Sequence, residues 1–145
     1  MNTIRHIGIV VNDLKKSMCF YRDLFGFRIT KQMEESGDYI DSVLSLQGVK
    51  VTTVKMTAPD GKMIELLRFH IHLNEGRPRD ITDAGITHIA FTVKDLEREY
   101  NRLKDYGVSF NAPPQVSPDG YAKVAFCRAP EGTFIELVEE LQNSV

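Results

Sequence analysis

A duplication constrains this chain more than any other feature. Residues 58–67 read APDGKMIELL and residues 129–138 read APEGTFIELV, a constant offset of 71 (129 minus 58) that pairs Pro59 with Pro130, Gly61 with Gly132 and Glu65 with Glu136. A second pair of segments, RHIGIVVNDL from Arg5 and THIAFTVKDL from Thr87, runs at an offset of 82 (87 minus 5) and matches His6 with His88, Asp13 with Asp95 and Leu14 with Leu96. The chain is therefore read as two copies of one unit, each opening on a histidine strand and closing on a glutamate strand. Such an internal repeat decides architecture before local propensity does. The offsets differ by 11 (82 minus 71), so the first copy carries 11 more residues between its two ends.

Within the first copy, Ile4 to Val11 is rich in Ile and Val and ends at Asn12-Asp13, which have good helix-capping chemistry. Leu14, Met18, Tyr21, Leu24 and Phe25 then recur at helical spacing, with Gly26 as a natural stop. Strands are expected at Phe27 to Met33, Val49 to Met56 and Met63 to Phe69, with a polar stretch from Glu34 to Asp38 and a short helix from Ile40 to Leu46. The second copy repeats the plan: strand Ile86 to Val93, helix Asp95 to Tyr106, and strands at Val108 to Asn111, Tyr121 to Cys127 and Thr133 to Glu139. Each unit is thus βαβββ, the first covering about 3–69 and the second about 86–140, with a polar Gly- and Pro-containing linker at about 70–85. The expected class is α+β, with residues 1–145 as a single domain.

A chain of 145 residues buries roughly two-thirds of its unfolded surface, enough for one ordinary domain. The net charge of −2 provides no field of one sign to hold nucleic acid or an anionic membrane. The apolar run IGIVV is too short for a secretory signal core or a membrane span, so a cytoplasmic protein is expected, with no nucleic-acid or membrane partner. Cys19 and Cys127 form no disulfide framework and no zinc spacing; they are read as small buried hydrophobes in a reducing compartment.

Strand side chains alternate between faces, which puts His6 with Gly8 and Val10, and His88 with Ala90 and Thr92. Small residues beside each histidine leave room above it. Glu65 sides with Met63 and Leu67, and Glu136 with Phe134 and Val138. An ionised carboxylate among apolar neighbours is costly unless paired, hydrogen-bonded or bound to a cation. A single strand histidine or glutamate is ordinarily structural or solvated. Repeated placement of both types at equivalent positions favours a shared task, and a pseudo-twofold relation between the units would bring two imidazoles and two carboxylates to one point. Such an N2O2 set suits divalent Zn, Ni, Co, Mn or Fe.

On the segments HIGIVV, IELL, THIAFTV and IELV, and on the paired-unit plan, the chain resembles the vicinal oxygen chelate superfamily. That superfamily includes glyoxalase I, methylmalonyl-CoA epimerase, extradiol dioxygenases, and fosfomycin- and bleomycin-resistance proteins. The resemblance implies tandem βαβββ units whose curled mixed sheets form a cup around a divalent metal, and it places His6, Glu65, His88 and Glu136 on the ligand positions. It further implies proton transfer on a small substrate with adjacent oxygens, of the isomerase, epimerase or glyoxalase-type lyase kind, through a metal-stabilised enediolate or enolate. Glu136 and Glu65 are the candidate bases, and a homodimer is the expected assembly. Two alternatives stand beside this reading. His6, His88 and Glu136 alone would make the facial triad of an Fe(II) dioxygenase, which Glu65 would crowd; a non-catalytic binding or resistance protein often lacks the ligands that are all present here.

Some residues separate the chain from particular relatives. Glutathione-using glyoxalases are similar to one another in a basic residue four positions after the first histidine and an asparagine four after the first glutamate, where this chain has Val10 and Phe69. Arg68, His70, His72, Arg77 and Arg79 cluster around the linker. Guanidinium forks suit an anionic substrate group, but solvated linker cations are the ordinary case, and the two histidines are read as surface or edge residues. Tyr121 is read as a packed aromatic at a strand start.

Overall fold

The Asp13 and Asp95 side chains set the start of the first helix in each repeat. Each aspartate is extended, with ψ of 96°, and its Oδ1 accepts a hydrogen bond from the backbone N–H three residues on, at 3.1 Å from Lys16 N and 3.1 Å from Arg98 N. This is N-cap chemistry: one otherwise orphaned helix donor is satisfied in each copy. The computed structural model describes residues 1–74 and 76–141. Glu75, inside the expected linker, and residues 142–145 lie outside the described residues.

Two compact units emerge, Met1–Arg77 and Pro78–Val145, with the boundary inside the expected linker. The first contains β1 (Ile7–Val10), α1 (Leu14–Cys19) continued by a π-helical turn (Phe20–Leu24), β2 (Arg28–Ser36), α2 (Asp38–Leu44), β3 (Lys50–Thr57) and β4 (Met63–Phe69). The second contains β5 (His88–Thr92), α3 (Leu96–Asp105), β6 (Gln115–Val116), β7 (Ala122–Arg128) and β8 (Phe134–Glu140). Each unit builds one four-stranded mixed sheet, in the orders β1-β4-β3-β2 and β5-β8-β7-β6. The first strand of each unit runs parallel to the last, and all other pairs are antiparallel. The class is α+β, as the repeat implied. Among the described residues no helix is long and apolar enough to cross a membrane.

The repeated turn is also the same structure twice. Ala58 N–H donates to Lys62 O and Gly61 N–H to Ala58 O; Ala129 N–H donates to Thr133 O and Gly132 N–H to Ala129 O. Gly61 and Gly132 have φ of +89° and +99°, a conformation that costs a side-chain-bearing residue and that glycine adopts freely. The helix-facing side of each sheet is apolar and closed. Ile9, Val11, Tyr21, Val54, Met56 and Leu66 are buried in the first unit, and Leu96, Leu103, Ala125, Cys127, Ile135 and Leu137 in the second. Burying one such large side chain contributes about 1.5–3 kcal/mol, so this face is the main source of stability in each unit.

Several boundaries differ from expectation. β1 begins at Ile7, so His6 lies just before the strand rather than within it. β2 continues through the polar stretch to Ser36, because Lys50 and Val51 of β3 supply backbone partners for Ser36 and Glu35, and an outer strand tolerates polar side chains. The strand expected at Val108 to Asn111 is reduced to a single bridge between Phe110 and Cys127, and the outer strand β6 is only Gln115–Val116. Pro113 and Pro114 lie between these two points and have no N–H to donate to a ladder. Tyr121 is exposed rather than packed: its N–H donates to Asp119 Oδ1, which fixes the backbone while the ring stays outside the core.

Candidate functional site

Both histidine and glutamate pairs form, each within its own unit. His6 Nε2 stands 3.8 Å from Glu65 Oε1, and His88 Nε2 stands 3.4 Å from Glu136 Oε2. The register explains the equivalence. In the parallel pair β1·β4, Gly8 lies opposite Glu65; in β5·β8, Ala90 lies opposite Glu136. A Cβ added at Gly8 would meet Leu67 Cδ1 at 3.4 Å, an ordinary contact, so alanine is tolerated at the position where the second unit has it.

These side chains lie on the face of each sheet opposite the apolar helix-covered one. The Glu65 and Glu136 side chains are 16% and 24% exposed, against 27% and 43% for their histidines. The carboxylates are therefore the more enclosed members, held mid-strand, while the imidazoles remain open to an incoming group. Within each unit the described residues bring together these two side chains and no group of three or more His, Cys, Asp or Glu that could hold a metal ion.

The donor set fits a divalent cation on geometry as well as chemistry. Two donors each about 2.1 Å from one ion at the tetrahedral angle stand roughly 3.4 Å apart. The observed 3.4 and 3.8 Å are near that separation and longer than a good N–H···O hydrogen bond. Each unit contributes one imidazole nitrogen and one carboxylate oxygen.

The surroundings of the two pairs differ. Across the sheet from Glu65 sits Lys55 of β3, whereas Glu136 faces Phe126 of β7. The Phe126 ring packs edge-on against His88, with centroids 5.4 Å apart, and orients that imidazole. Two positions along, Met63 faces Thr57, but Phe134 faces Arg128, whose guanidinium lies 4.3 Å over the Phe134 ring. Neither Lys55, Phe126 nor Arg128 stood out in the sequence. The repeat offset of 71 together with strand parity could have found all three, since each sits one strand over from a singled-out glutamate or its neighbour.

The linker cations are engaged locally. Arg68 Nη1 donates to Phe69 O at 2.7 Å, and Arg79 Nη2 to Ala84 O at 3.0 Å; Arg77 has a partner of its own. His70 and His72 are exposed, as expected, with ring nitrogens 2.8 Å from Thr52 Oγ1 and 2.6 Å from Gln47 O. Of the cysteines, Cys127 is fully buried and burial pushes its thiol up to about 12, so it is no nucleophile; Cys19 is half-buried.

Comparison with known proteins agrees with this architecture. The family model described as Glyoxalase/Bleomycin resistance protein/Dioxygenase superfamily matches residues 3–137. A lactoylglutathione lyase of Schizosaccharomyces pombe is 28% identical over 97% of this chain, which spans 48% of that relative's length. An uncharacterised protein of Bacillus subtilis, YwkD, is 31% identical over 97% of this chain and 98% of its own. The crystal structure of a glyoxalase family protein from Bacillus cereus superposes with a TM-score of 0.88 at 26% identity, covering 98% of this chain and 96% of that one.

Proposed function

The chain belongs to the Glyoxalase/Bleomycin resistance protein/Dioxygenase superfamily, and we propose that within it the protein is a metal-dependent enzyme that moves a proton on a small substrate with adjacent oxygens, as an isomerase, epimerase or glyoxalase-type lyase. One observation carries the reading: a histidine and a carboxylate stand at the same register in both units, at separations that suit a shared cation. In this reading His6, Glu65, His88 and Glu136 are the metal ligands, and residues 1–145 are one domain. Kinship with a lactoylglutathione lyase supports an enzyme; it does not carry that enzyme's substrate over, because Val10 and Phe69 replace the glutathione-type polar residues.

When bound, a divalent cation supplies Lewis acidity that lowers the cost of negative charge on substrate oxygen. The remaining roles fall to the chain. Glu136 takes the substrate proton at a carboxylate oxygen and returns it, with Glu65 as the equivalent group in the other repeat. Phe126 keeps the His88 ring in position by edge-on packing. Gly8 and Ala90 leave space over the carboxylates for the substrate to approach. The reading extends to a homodimer, in keeping with a relative about twice as long as the segment matched here.

Elemental analysis of protein purified without added metal, followed by a solvent-deuterium screen of 2-oxo acids, hemithioacetals and acyl thioesters, tests the proposal. Bound Zn, Ni, Co, Mn or Fe, with deuterium entering at a substrate carbon, is the expected result. Oxygen consumption with bound iron would replace it with the dioxygenase reading; intact protein that binds small molecules but neither metal nor deuterium would replace it with sequestration.

A further inference from the structure

The second unit contains an open cavity of about 520 Å³, lined by Asp80, Ser109, Phe110, Asn111, Arg128 and Phe134 among others; Phe134 is the register partner of His88. The cavity is built into the sheet. Arg128 N–H donates to Ser109 O and Asn111 N–H to Phe126 O, so β7 holds the segment that carries Ser109 and Asn111. Across the strands His88, Phe134 and Arg128 occupy consecutive register positions and share a face. Two strand spacings separate His88 from Arg128, about 10 Å.

Arg128 has unspent donor capacity. One terminal nitrogen, Nη2, donates to Arg79 O, and the guanidinium plane stacks on Phe134, but the buried Nε has no partner among the described residues. A buried donor without an acceptor is costly and uncommon, and it calls for a group that arrives from outside the fold. A guanidinium resting on an aromatic face is also pre-oriented for a planar oxyanion. The equivalent position in the first unit is Thr57 (128 minus 71), so this is a feature of one repeat and not of the duplicated scaffold.

We infer that this cavity is a subsite for the carboxylate of a small ligand, bound by Arg128 with Ser109 and Asn111 as neutral hydrogen-bonding partners. Asp80 on the wall opposes a doubly charged anion, which favours a carboxylate over a phosphate. The inference deepens the proposed function and rests on it for one point: a substrate whose adjacent oxygens reach His88 and Glu136 carries its carboxylate about two strand spacings away. Anion capture itself requires no metal.

The test is a two-dimensional NMR titration of the full chain in the presence of a chelator, with succinate, inorganic phosphate and uncharged succinamide as probes. Succinate should give saturable shifts at the Ser109 and Asn111 amides and at the Arg128 Nε–H, phosphate should bind more weakly, and succinamide should give none. Arg128→Gln should weaken succinate about tenfold or more, as expected for loss of a charge-assisted fork, and Arg128→Lys should fall between. Absence of saturable shifts in the unaltered protein, equal shifts with succinamide, tighter binding of phosphate, or unchanged affinity in Arg128→Gln would overturn the inference. Because the unaltered protein is titrated directly, a variant that unfolds leaves the test intact. Metal content is measured separately, so failure of the metal reading and failure of the carboxylate subsite give different results.

Discussion

The two repeats share a framework and spend it differently. In the first unit, α1 has only six residues before the chain relaxes into a π-helical turn, β2 runs for nine residues, and α2 is inserted before β3. In the second, α3 runs for ten residues without interruption, and the outer strand shrinks to two. Most of the 11-residue length difference is accounted for by α2 and its loop, which have no counterpart between β6 and β7. Asp41 fastens that insertion by accepting from Gly48 N–H at 2.9 Å and Val49 N–H at 2.8 Å, and Ile40 packs on Val49 and Val51. Growth and loss therefore fell on the outer strands, while the paired first and last strands kept one register. The lesson is that the pairing which sets histidine against glutamate is the part of the unit that tolerates no slip: a one-residue shift would turn Glu65 or Glu136 into the helix-covered core.

The sharpest way to break the equivalence of the two glutamates is to neutralise each. Glu136→Gln should lower turnover by about 10²–10⁴, the usual worth of a positioned acid or base, with the fold intact by circular dichroism. If Glu65→Gln has an equal effect and both variants lose metal, the four-residue set stands. If Glu65→Gln keeps metal and activity, the three-residue set replaces it.

Core truncation compares the stability of the halves. Leu103→Ala in the second unit and Met56→Ala in the first both remove fully buried side chains and should each cost about 2–5 kcal/mol in urea denaturation. A single transition for both variants indicates that the units unfold together; a separate early transition in one variant marks its unit as independent.

An alkaline titration acts on the second unit through Cys127. Its folded pKa is raised by burial from 9.0 to about 12, so below pH 9 the thiol is protonated in both states and costs nothing. Between about 9 and 12 the unfolded chain ionises first, and stability should fall with a slope approaching about 1.4 kcal/mol per pH unit. Cys127→Ala should flatten that slope in urea melts at pH 8 and pH 10, and iodoacetamide should label Cys19 well before Cys127 in the native protein.

The smallest effect is expected at the caps. Asp95→Ala and Asp13→Ala each remove one acceptor for a helix N–H and should each cost about 1 kcal/mol by chemical denaturation. A smaller loss for Asp13→Ala would fit a first-unit helix that is already short and ends in a π-helical turn.

Much of this was legible in the linear chain. The duplication, the α+β class, β4 at Met63–Phe69 and the four ligand candidates all followed from repeat offsets and residue type. These are local or repeated signals, carried by side chains that recur at fixed spacing. What escaped depends on neighbours in space. The length of β2 was set by what β3 offered it, and the bare bridge at Phe110 by the prolines that follow. Tyr121 had the composition of a packed residue and no core to enter.

That each unit presents one histidine and one carboxylate is readable from the chain alone, because alternation and duplication are properties of the residue order. Folding set Glu65 across from Lys55 and Glu136 across from Phe126, and it stacked Arg128 on Phe134 with its Nε without a partner among the described residues. Which side chains lie opposite one another is set by strand register, and register is fixed by the burial of the other face, a collective property that no single segment encodes.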